Sequence, residues 1–356
     1  MRKIITIFLC FILLSPVPAQ AARDPVLPES VIPGGHTLGV KLQTDGLMVV
    51  GMAPVNTYDG KVSPAGDAGI VSGDMITHIQ RRSLATVADL LALTDRLSGE
   101  ALEVTYIRDG KMYYTTLVPA KSADDGRYRL GVWVRDSMAG IGTITFYDPD
   151  TGLFGALGHG INEAETGRLL PMGSGHVLYS EVESVRQGLP GTPGELKGKF
   201  RDDKAYGHLL RNTESGLFGT LTTGEAMGKA MEKPVAIAPS SEVRAGKAVI
   251  LSNVTGDTVE RFDIEIIKIF NGDDCRNFMI RVTDERLLTH TGGIVQGMSG
   301  SPVLQNGRLV GAVTHVLIND PERGYGIFAE SMLREGMRAL DAQTWREAEE
   351  DMPIAA

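Results

Sequence analysis

The feature that most constrains the fold is a series of short apolar segments that fills the chain from Leu130 onward. Gly and Asp separate these segments, and no regular helical pattern comes between them. Many short strands without intervening helices predict a barrel or a sandwich. We therefore expect a mainly β chain that ends in one helix, at 331–350. The predicted strands are 130–134, 141–147, 153–157, 177–184, 248–251, 259–269, 278–282, 303–304, 309–313 and 326–329.

The composition is that of a globular protein. The chain has 356 residues, of which 42% are hydrophobic and 22% are charged, a length that suits about two domains. The net charge is −9, and no basic run follows Lys3. A protein that binds nucleic acid usually presents a basic face, so we expect no nucleic-acid partner.

The first 22 residues have the pattern of a signal peptide. Arg2 and Lys3 precede an apolar stretch at 4–14, and Ala19-Gln20-Ala21 offers a small-x-small cleavage site. Export is the predicted outcome, and an uncleaved membrane anchor is the alternative. Beyond this segment the only cysteine is Cys275, which excludes an internal disulfide. No Cys/His spacing suggests zinc, and we expect neither a metal nor a cofactor.

Residues 38–120 predict a small β domain with one amphipathic helix. Apolar residues recur at helical spacing over 87–97, and Asp109-Gly110 is typical of a hairpin turn. The predicted organisation of the chain is a signal segment at 1–22, a linker at 23–37, this domain at 38–120, a linker at 121–130, a β-rich domain at 131–345 and a tail at 346–356.

The phrase at 64–76, Pro-Ala-Gly-Asp-Ala-Gly-Ile-Val-Ser-Gly-Asp-Met-Ile, resembles a PDZ domain. The resemblance implies a backbone loop that captures the C-terminal carboxylate of a peptide, which then adds to the sheet edge as a strand. The segment that resembles this loop is Leu38-Gly39-Val40. A peptide C-terminus or an internal peptide is the implied partner, and a domain that only positions its neighbour is the alternative.

A serine lies between two glycines in Gly-Met-Ser-Gly-Ser-Pro, at 297–302. Its hydroxyl has little steric cover, and the glycines allow backbone N–H groups to converge on one point, as an oxyanion hole requires. Asn306-Gly307 behind it is typical of a hairpin turn. A Gly/Ser-rich hairpin loop is the alternative. The six residues resemble the nucleophile loop of chymotrypsin-like serine peptidases, with Ser299 as nucleophile and Gly297 and Ser299 as oxyanion donors.

A serine nucleophile needs a base, and His159 is the best placed histidine. It lies between Gly158 and Gly160 directly after an apolar segment, so it is free to face a cleft. His176 has a similar setting, and His315 follows the hairpin strand. For each of them a structural role is the alternative.

The run at 297–307, the blocks at 311–316 and 319–328, and Gly158-His159-Gly160-Ile161 together resemble the stage IV sporulation protein B (SpoIVB) peptidases. The resemblance implies a PDZ-bearing serine peptidase of the chymotrypsin-like clan, with His159 as base, Asp284 as orienting acid and Ser299 as nucleophile. Asp257 and Asp263 remain alternatives for the acid. Thr314 is expected to hydrogen-bond the acid or the substrate backbone.

This family also implies a setting. The protein would be exported from the forespore into the intermembrane space, with the N-terminal segment as a transient anchor. There it would cleave itself and a membrane-bound regulator of the intramembrane protease that processes the late mother-cell sigma factor. The alternatives are a catalytically inactive PDZ scaffold and a general envelope quality-control protease. We expect an acidic limb near neutrality in the pH–rate profile, and a competent site in a fragment that begins near Gly126.

Overall fold

The structure, a computed structural model, describes residues 24–350 apart from 164–165, 223–232, 271 and 273–274. The predicted signal segment at 1–22 lies outside the described residues, as do residues 351–356 of the predicted tail. The strands in the described part of the chain are β1 (Ser30–Pro33), β2 (Thr37–Met52), β3 (Val55–Thr57), β4 (Gly60–Val62), β5 (Met75–Ile79), β6 (Arg82–Ser83), β7 (Leu102–Arg108), β8 (Lys111–Leu117), β9 (Ala120–Lys121), β10 (Tyr128–Arg129), β11 (Val132–Tyr147), β12 (Leu153–Ala156), β13 (Ser174–Arg186), β14 (Glu195–Thr213), β15 (Gly216–Leu221), β16 (Val235–Ala236), β17 (Gly246–Thr255), β18 (Thr258–Ile269), β19 (Phe278–Val282), β20 (Pro302–Gln305), β21 (Arg308–Leu317) and β22 (Asp320–Phe328). The helices there are α1 (Pro64–Asp67), α2 (Val87–Thr94), α3 (Glu285–Thr291) and α4 (Ala329–Glu350).

Two six-stranded barrels confirm the expected mainly β architecture. In the first barrel the strands follow the order β2, β11, β12, β15, β14 and β13, and the pairing of β13 with β2 closes the ring. The second barrel closes through β17, β18, β19, β22, β21 and β20. Alternation along the strands directs every second side chain inward. In β18, for example, Phe262, Ile264 and Ile266 are buried while Arg261 and Asp263 are not.

The small domain is an insertion in the first barrel and does not precede it as a separate module. β2 and β11 are each sixteen residues long and pair with one another from Thr37↔Thr143 to Met52↔Val132. One end of this ribbon belongs to the barrel, and the other end belongs to the small domain, where Leu47 and Met48 pair with β5. The predicted boundaries at 38 and 131 are therefore wrong, because each falls on a strand of this ribbon or directly beside one.

Both predicted linkers are also wrong as linkers. Within 23–37, β1 pairs with the end of β11 and with β16, so the segment is part of the peptidase core. Within 121–130, Lys121 of β9 pairs with Tyr128 of β10. Leu130 is buried, and its carbonyl oxygen accepts the N–H of Ala65. Proline and glycine therefore mark turns here and not mobile connections.

The segment Leu38-Gly39-Val40 lies in the barrel and cannot be the predicted carboxylate loop. Its residues lie near the start of β2, with β11 on one side and β13 on the other, so both edges are already paired. Leu38 is fully buried, and a Cβ on Gly39 would lie within 2.5 Å of the Phe200 ring. No edge is left there for a peptide strand to join.

The small domain has its own core around the end of β2, β5, β7 and β8, filled by Leu47, Val49, Ile76 and Val104. Helix α2 begins with a capping box, in which Thr86 and Asp89 satisfy each other's backbone N–H groups. The PDZ assignment of this domain stays a prediction.

Helix α4 packs its apolar face on the first barrel and on β21. Met332 and Leu333 are fully buried there with Phe218 and Leu153. The helix runs to Glu350, so the predicted tail at 346–356 begins inside it. No helix in the described residues is both long and apolar enough to cross a membrane.

Candidate active site

His159 follows a sharp turn at the end of β12 and lines the cleft between the barrels. Leu157 and Gly158 both have left-handed backbone angles, with φ of 69° and 68°. A Cβ on Gly158 would lie 3.0 Å from Cγ2 of Thr314 on the second barrel. The close approach that glycine permits therefore brings His159 against the other barrel.

Ser299 lies on the loop between α3 and β20, and the first barrel holds this loop in place. The N–H of Thr143 donates to the carbonyl oxygen of Ser299 at 3.0 Å, and its Oγ1 donates to that of Gly297 at 2.7 Å. Thr145 Oγ1 donates to the carbonyl oxygen of Gly300 at 2.8 Å. Strand β11 thus fixes the serine loop of one barrel relative to the histidine of the other.

A cleft of about 530 Å³ lies between the barrels and brings four of the predicted residues together. His159, Ser299, Gly297 and Thr314 all line it. His315, an alternative base in the sequence, lines it as well, and its ring centre is 4.7 Å from that of His159.

The serine hydroxyl is hydrogen-bonded to the backbone in this conformation. Ser299 Oγ donates to the carbonyl oxygen of Thr314 at 2.7 Å. Transfer of the hydroxyl proton to a histidine therefore requires the O–H group to leave the Thr314 carbonyl oxygen. Catalytic hydrogen bonds often form only when substrate is bound.

Two backbone donors beside the serine are unused. The N–H groups of Met298, Gly300 and Ser301 donate to carbonyl oxygens within the protein. Those of Gly297 and Ser299 donate to nothing among the residues that the structure describes. Gly297 has φ of 99°, a conformation that favours glycine, and both Gly297 and Ser299 line the cleft.

Burial favours the neutral form of both histidines of the cleft, because it lowers the pKa of each. Burial lowers the pKa of His159, and its hydrogen bond to the Gly160 carbonyl oxygen offsets part of that effect. Burial, together with the neighbouring His159 and Arg276, lowers the pKa of His315 to about 4. A neutral imidazole is the form that accepts a proton.

Asp284 is the one member of the predicted triad that the structure does not bring to the site. It caps the N-terminus of α3, where its carboxylate accepts the N–H of Arg286 at 2.9 Å and pairs with the Arg286 guanidinium. These bonds lower the pKa of Asp284, and Asp284 is not among the residues that line the cleft. The prediction that Asp284 orients His159 is wrong in this structure.

The alternative acids lie elsewhere too. The hydroxyl of Tyr179 donates to Asp257, and the backbone N–H of Asp263 donates to Asp284. Among the described residues no carboxylate is found in a hydrogen bond with the His159 ring, whose Nδ1 bonds the carbonyl oxygen of Gly160. The Oγ1 of Thr314 is buried without a hydrogen-bond partner there, so the expected bond from Thr314 to an acid is absent as well.

The other candidates from the sequence have structural roles. The hydroxyl of Ser301 is buried and donates to Ser252 Oγ at 3.1 Å. His176 packs on His208 between β13 and β14, away from the residues that line the cleft. Neither residue is placed to act as nucleophile or base.

A family model described as SpoIVB peptidase S55 matches residues 126–333, more than half of the chain. The chain belongs to the SpoIVB peptidase S55 family. It is accordingly a serine endopeptidase, as the sequence predicted.

Solved structures with similar folds include the Rv3671c protease in its inactive form, at 15% identity, with 56% of this chain and 84% of that chain covered and a TM-score of 0.32. The active form of the protease Rv3671c from M. tuberculosis matches at 14% identity over 57% and 74% of the two chains, with a TM-score of 0.34. The HtrA-type protease AlgW with a decapeptide matches at 13% identity over 58% and 54%, also with a TM-score of 0.34.

Two features of this family member were missed in the sequence. The first is Asn212 near the end of β14, which hydrogen-bonds the backbone two residues beyond His159. Asn212 is 53 positions from His159, and no local pattern links the two. Only the pairing of strands brings them together.

The second missed feature is a groove in the small domain. A cleft of about 360 Å³ lies between α2 and the start of β11, and its lining includes Leu130-Gly131-Val132 and Leu91. The triplet Leu-Gly-Val occurs twice in the chain, at 38–40 and here, and the second copy is the sequence signal that could have indicated this groove. Here Gly131 has φ of 79°, and β11 pairs with β2 on one side only.

Proposed function

We propose that this peptidase is an exported signalling enzyme of sporulation, which cleaves itself and a membrane-bound regulator of a sigma-factor-processing intramembrane protease. Membership of the SpoIVB peptidase family supports the biological setting. The chemistry is supported by one observation above all: a single cleft holds Ser299, His159 and two unused backbone donors.

In the proposed mechanism, His159 accepts the hydroxyl proton as Ser299 Oγ attacks the scissile carbonyl carbon. The negative charge that develops on the carbonyl oxygen is met by the N–H groups of Gly297 and Ser299. These donors are preset, because β11 holds the loop through Thr143. The C–N bond then breaks, His159 gives its proton to the leaving amine, and an acyl-enzyme remains on Ser299.

Water completes the reaction by the reverse sequence. It loses a proton to His159 and attacks the ester carbonyl carbon, and the same two N–H groups bind the second oxyanion. The Ser299 oxygen leaves with the proton from His159, which releases the acid product. The neutral state of His159, favoured by burial, suits it to both proton transfers.

The lining of the cleft supports an apolar substrate segment. It includes Ile141, Ile161, Ile294, Val316 and Ile318, and among the residues that the structure describes, none that lines it is Asp, Glu, Lys or Arg. A charged substrate side chain would lose its hydration there without a partner. Aliphatic side chains at the cleavage site are therefore proposed.

The groove beside α2 is the proposed peptide-binding site of the small domain. Edge strand β11 offers unpaired backbone groups at Val132, and exposed Leu91 and Trp133 offer apolar contact. An added peptide strand would gain hydrogen bonds from the edge and specificity from the side chains.

A serine-reactive fluorophosphonate probe tests the chemistry. The intact protein and Ser301→Ala should be labelled, because Ser301 is buried in a structural hydrogen bond. Ser299→Ala should not be labelled. An unlabelled intact protein would instead favour the scaffold hypothesis.

The signalling role is tested separately, with the membrane-bound regulator and an unfolded protein as competing substrates. Mass spectrometry should find discrete cuts in the regulator and in the peptidase itself, both absent with Ser299→Ala. Broad digestion of the unfolded protein at comparable rates would favour a quality-control protease.

A further inference from the structure

We propose that Asn212 is a positioning residue that orients His159 through the Gly160–Ile161 peptide group. The carbonyl oxygen of Gly160 then accepts the imidazole N–H that a carboxylate accepts in a triad. This inference rests on the proposed role of His159 as the base. It assigns no contact with substrate to Asn212, which does not line the cleft.

The hydrogen bonds form an unbroken series. His159 Nδ1 is 2.8 Å from the carbonyl oxygen of Gly160. The N–H of Ile161 belongs to the same peptide group and donates to Asn212 Oδ1 at 2.9 Å. A donor at one end of a peptide group that is itself engaged polarises the carbonyl at the other end. Asn212 thus strengthens the acceptor that holds the imidazole.

The orientation of the Asn212 amide is fixed by its other bonds. Its Nδ2 donates to the carbonyl oxygens of Ile161 at 2.9 Å and Leu170 at 3.0 Å. A flipped amide would place Oδ1 against two carbonyl oxygens and an NH₂ group against the Ile161 N–H. Asn212 is 8% exposed, so water cannot relieve that conflict.

This arrangement selects the tautomer that catalysis needs. A carbonyl oxygen can only accept, so neutral His159 must carry its proton on Nδ1. Its Nε2 then has a free lone pair for the serine proton. A carboxylate would impose the same tautomer, but it would also stabilise the imidazolium by its charge. The neutral relay orients the ring without that charge.

The tautomer can be observed directly. The protein is labelled with ¹⁵N-histidine in the Ser299→Ala background, which prevents self-cleavage, and long-range ¹H–¹⁵N spectra are recorded above the pKa of His159. The signals of His159 are assigned by their loss in His159→Gln. A protonated Nδ1 and an unprotonated Nε2 are expected, and the opposite tautomer would overturn the proposal whether or not the enzyme is active.

Variants of Asn212 then test the cause. Asn212→Ala should lower kcat by about 100-fold with little change in KM, as expected for a misplaced catalytic group. It should also mix the two His159 tautomers in the Ser299→Ala background. Asn212→Asp keeps an acceptor for the Ile161 N–H but places an oxygen against the carbonyl oxygens of Ile161 and Leu170, so it should recover only a small part of the loss.

Asn277→Ala is the matched control, because Asn277 is also a buried asparagine whose Oδ1 accepts a backbone N–H, that of Phe328 at 2.8 Å. It should lose thermal stability but keep kcat and the tautomer. Equal losses of kcat in Asn212→Ala and Asn277→Ala, with an unchanged His159 tautomer, would reduce Asn212 to a structural residue. If Asn212→Ala does not fold, the spectra of the protein with Asn212 intact still decide.

Discussion

Gln43 of β2 and Ser137 of β11 face each other as a cross-strand pair, although the whole small domain separates them in the chain. On the barrel side of this pair the two strands continue together to Thr37 and Thr143. The small domain therefore enters and leaves the barrel at one point on its surface.

This pairing predicts that the small domain can be removed without loss of the peptidase fold. Replacement of residues 44–136 by Asn-Gly joins β2 to β11 by a two-residue hairpin turn that suits the twist of the strands. The product should melt cooperatively and label with the fluorophosphonate probe.

A fragment that begins at Gly126 is the contrasting variant. It lacks β1 and β2, and without β2 the first barrel cannot close between β11 and β13. We expect it to be unfolded, contrary to the expectation drawn from a linker at 121–130. A folded, probe-reactive fragment would show that the insertion topology is wrong.

Asp284 is predicted to act on stability and not on the chemistry. Asp284→Ala removes the N-cap of α3 and the partner of Arg286, and should lower the free energy of unfolding by about 1 kcal/mol. Asp284→Asn, which keeps an N-cap acceptor, should lose less. In both variants kcat per probe-reactive molecule should stay within a few-fold of the unchanged enzyme. A loss of several hundred-fold in well-folded Asp284→Asn would restore Asp284 to the triad.

The pH dependence follows from the direction of the His159 shift. The base must be neutral to act, and burial lowers its pKa from the ordinary value of 6.5. The neutral form therefore persists to lower pH, and the acidic limb of kcat/KM should lie below 6.5 and not near neutrality. Activity should fall as pH falls through the pKa of folded His159. A limb at or above 7 in a peptide assay would show that a carboxylate stabilises the imidazolium.

His315 should couple pH to stability. Its pKa is 6.5 when unfolded and about 4 when folded, so between these values the unfolded chain binds more protons. Stability is full above 6.5 and decreases as pH falls toward 4. In His315→Gln the melting temperature should fall less over this range than in the unchanged protein; identical pH profiles would exclude His315 as a source of the acid sensitivity.

The bond from Thr143 to the serine loop should matter for the rate. Thr143→Val keeps the shape of a fully buried side chain but removes the hydroxyl that donates to the Gly297 carbonyl oxygen. We expect about a tenfold lower kcat, equivalent to roughly 1.4 kcal/mol, because the oxyanion donor at Gly297 is less well held. Thr37→Val is the control, since its hydroxyl bonds Ser180 away from the serine loop. Comparable kcat losses in both would point to general destabilisation.

The groove beside α2 is tested by peptide affinity. Leu91→Glu and Trp133→Ala alter exposed apolar groups at the groove and should weaken binding of peptides selected on the intact protein by at least tenfold. Tyr58→Ala removes an exposed aromatic group outside the groove and should have no effect. Hydrolysis of a short peptide should be unchanged in all three. Unchanged affinity in both groove variants would leave the small domain as a spacer.

Local chemistry determined much of this protein from the sequence alone. The short apolar segments gave a mainly β chain because side-chain alternation and turn residues act over a few positions. Ser299, Gly297 and His159 could be identified because they lie in glycine-containing motifs. Glycine leaves space beside a side chain and permits backbone angles that other residues avoid. All three residues line the same cleft.

Tertiary structure decided what depends on partners far apart in the chain. Leu38-Gly39-Val40 and Leu130-Gly131-Val132 are the same triplet, but one is enclosed between two strands and the other borders a groove. The sequence motif predicted Asp284 as the triad acid, but in the structure its carboxylate caps α3 and pairs with Arg286. Asn212 could not be identified from the sequence, because its hydrogen bond to the backbone of Ile161 requires no particular residues around it. Strand pairing in the closed barrel alone brings Asn212 beside that backbone.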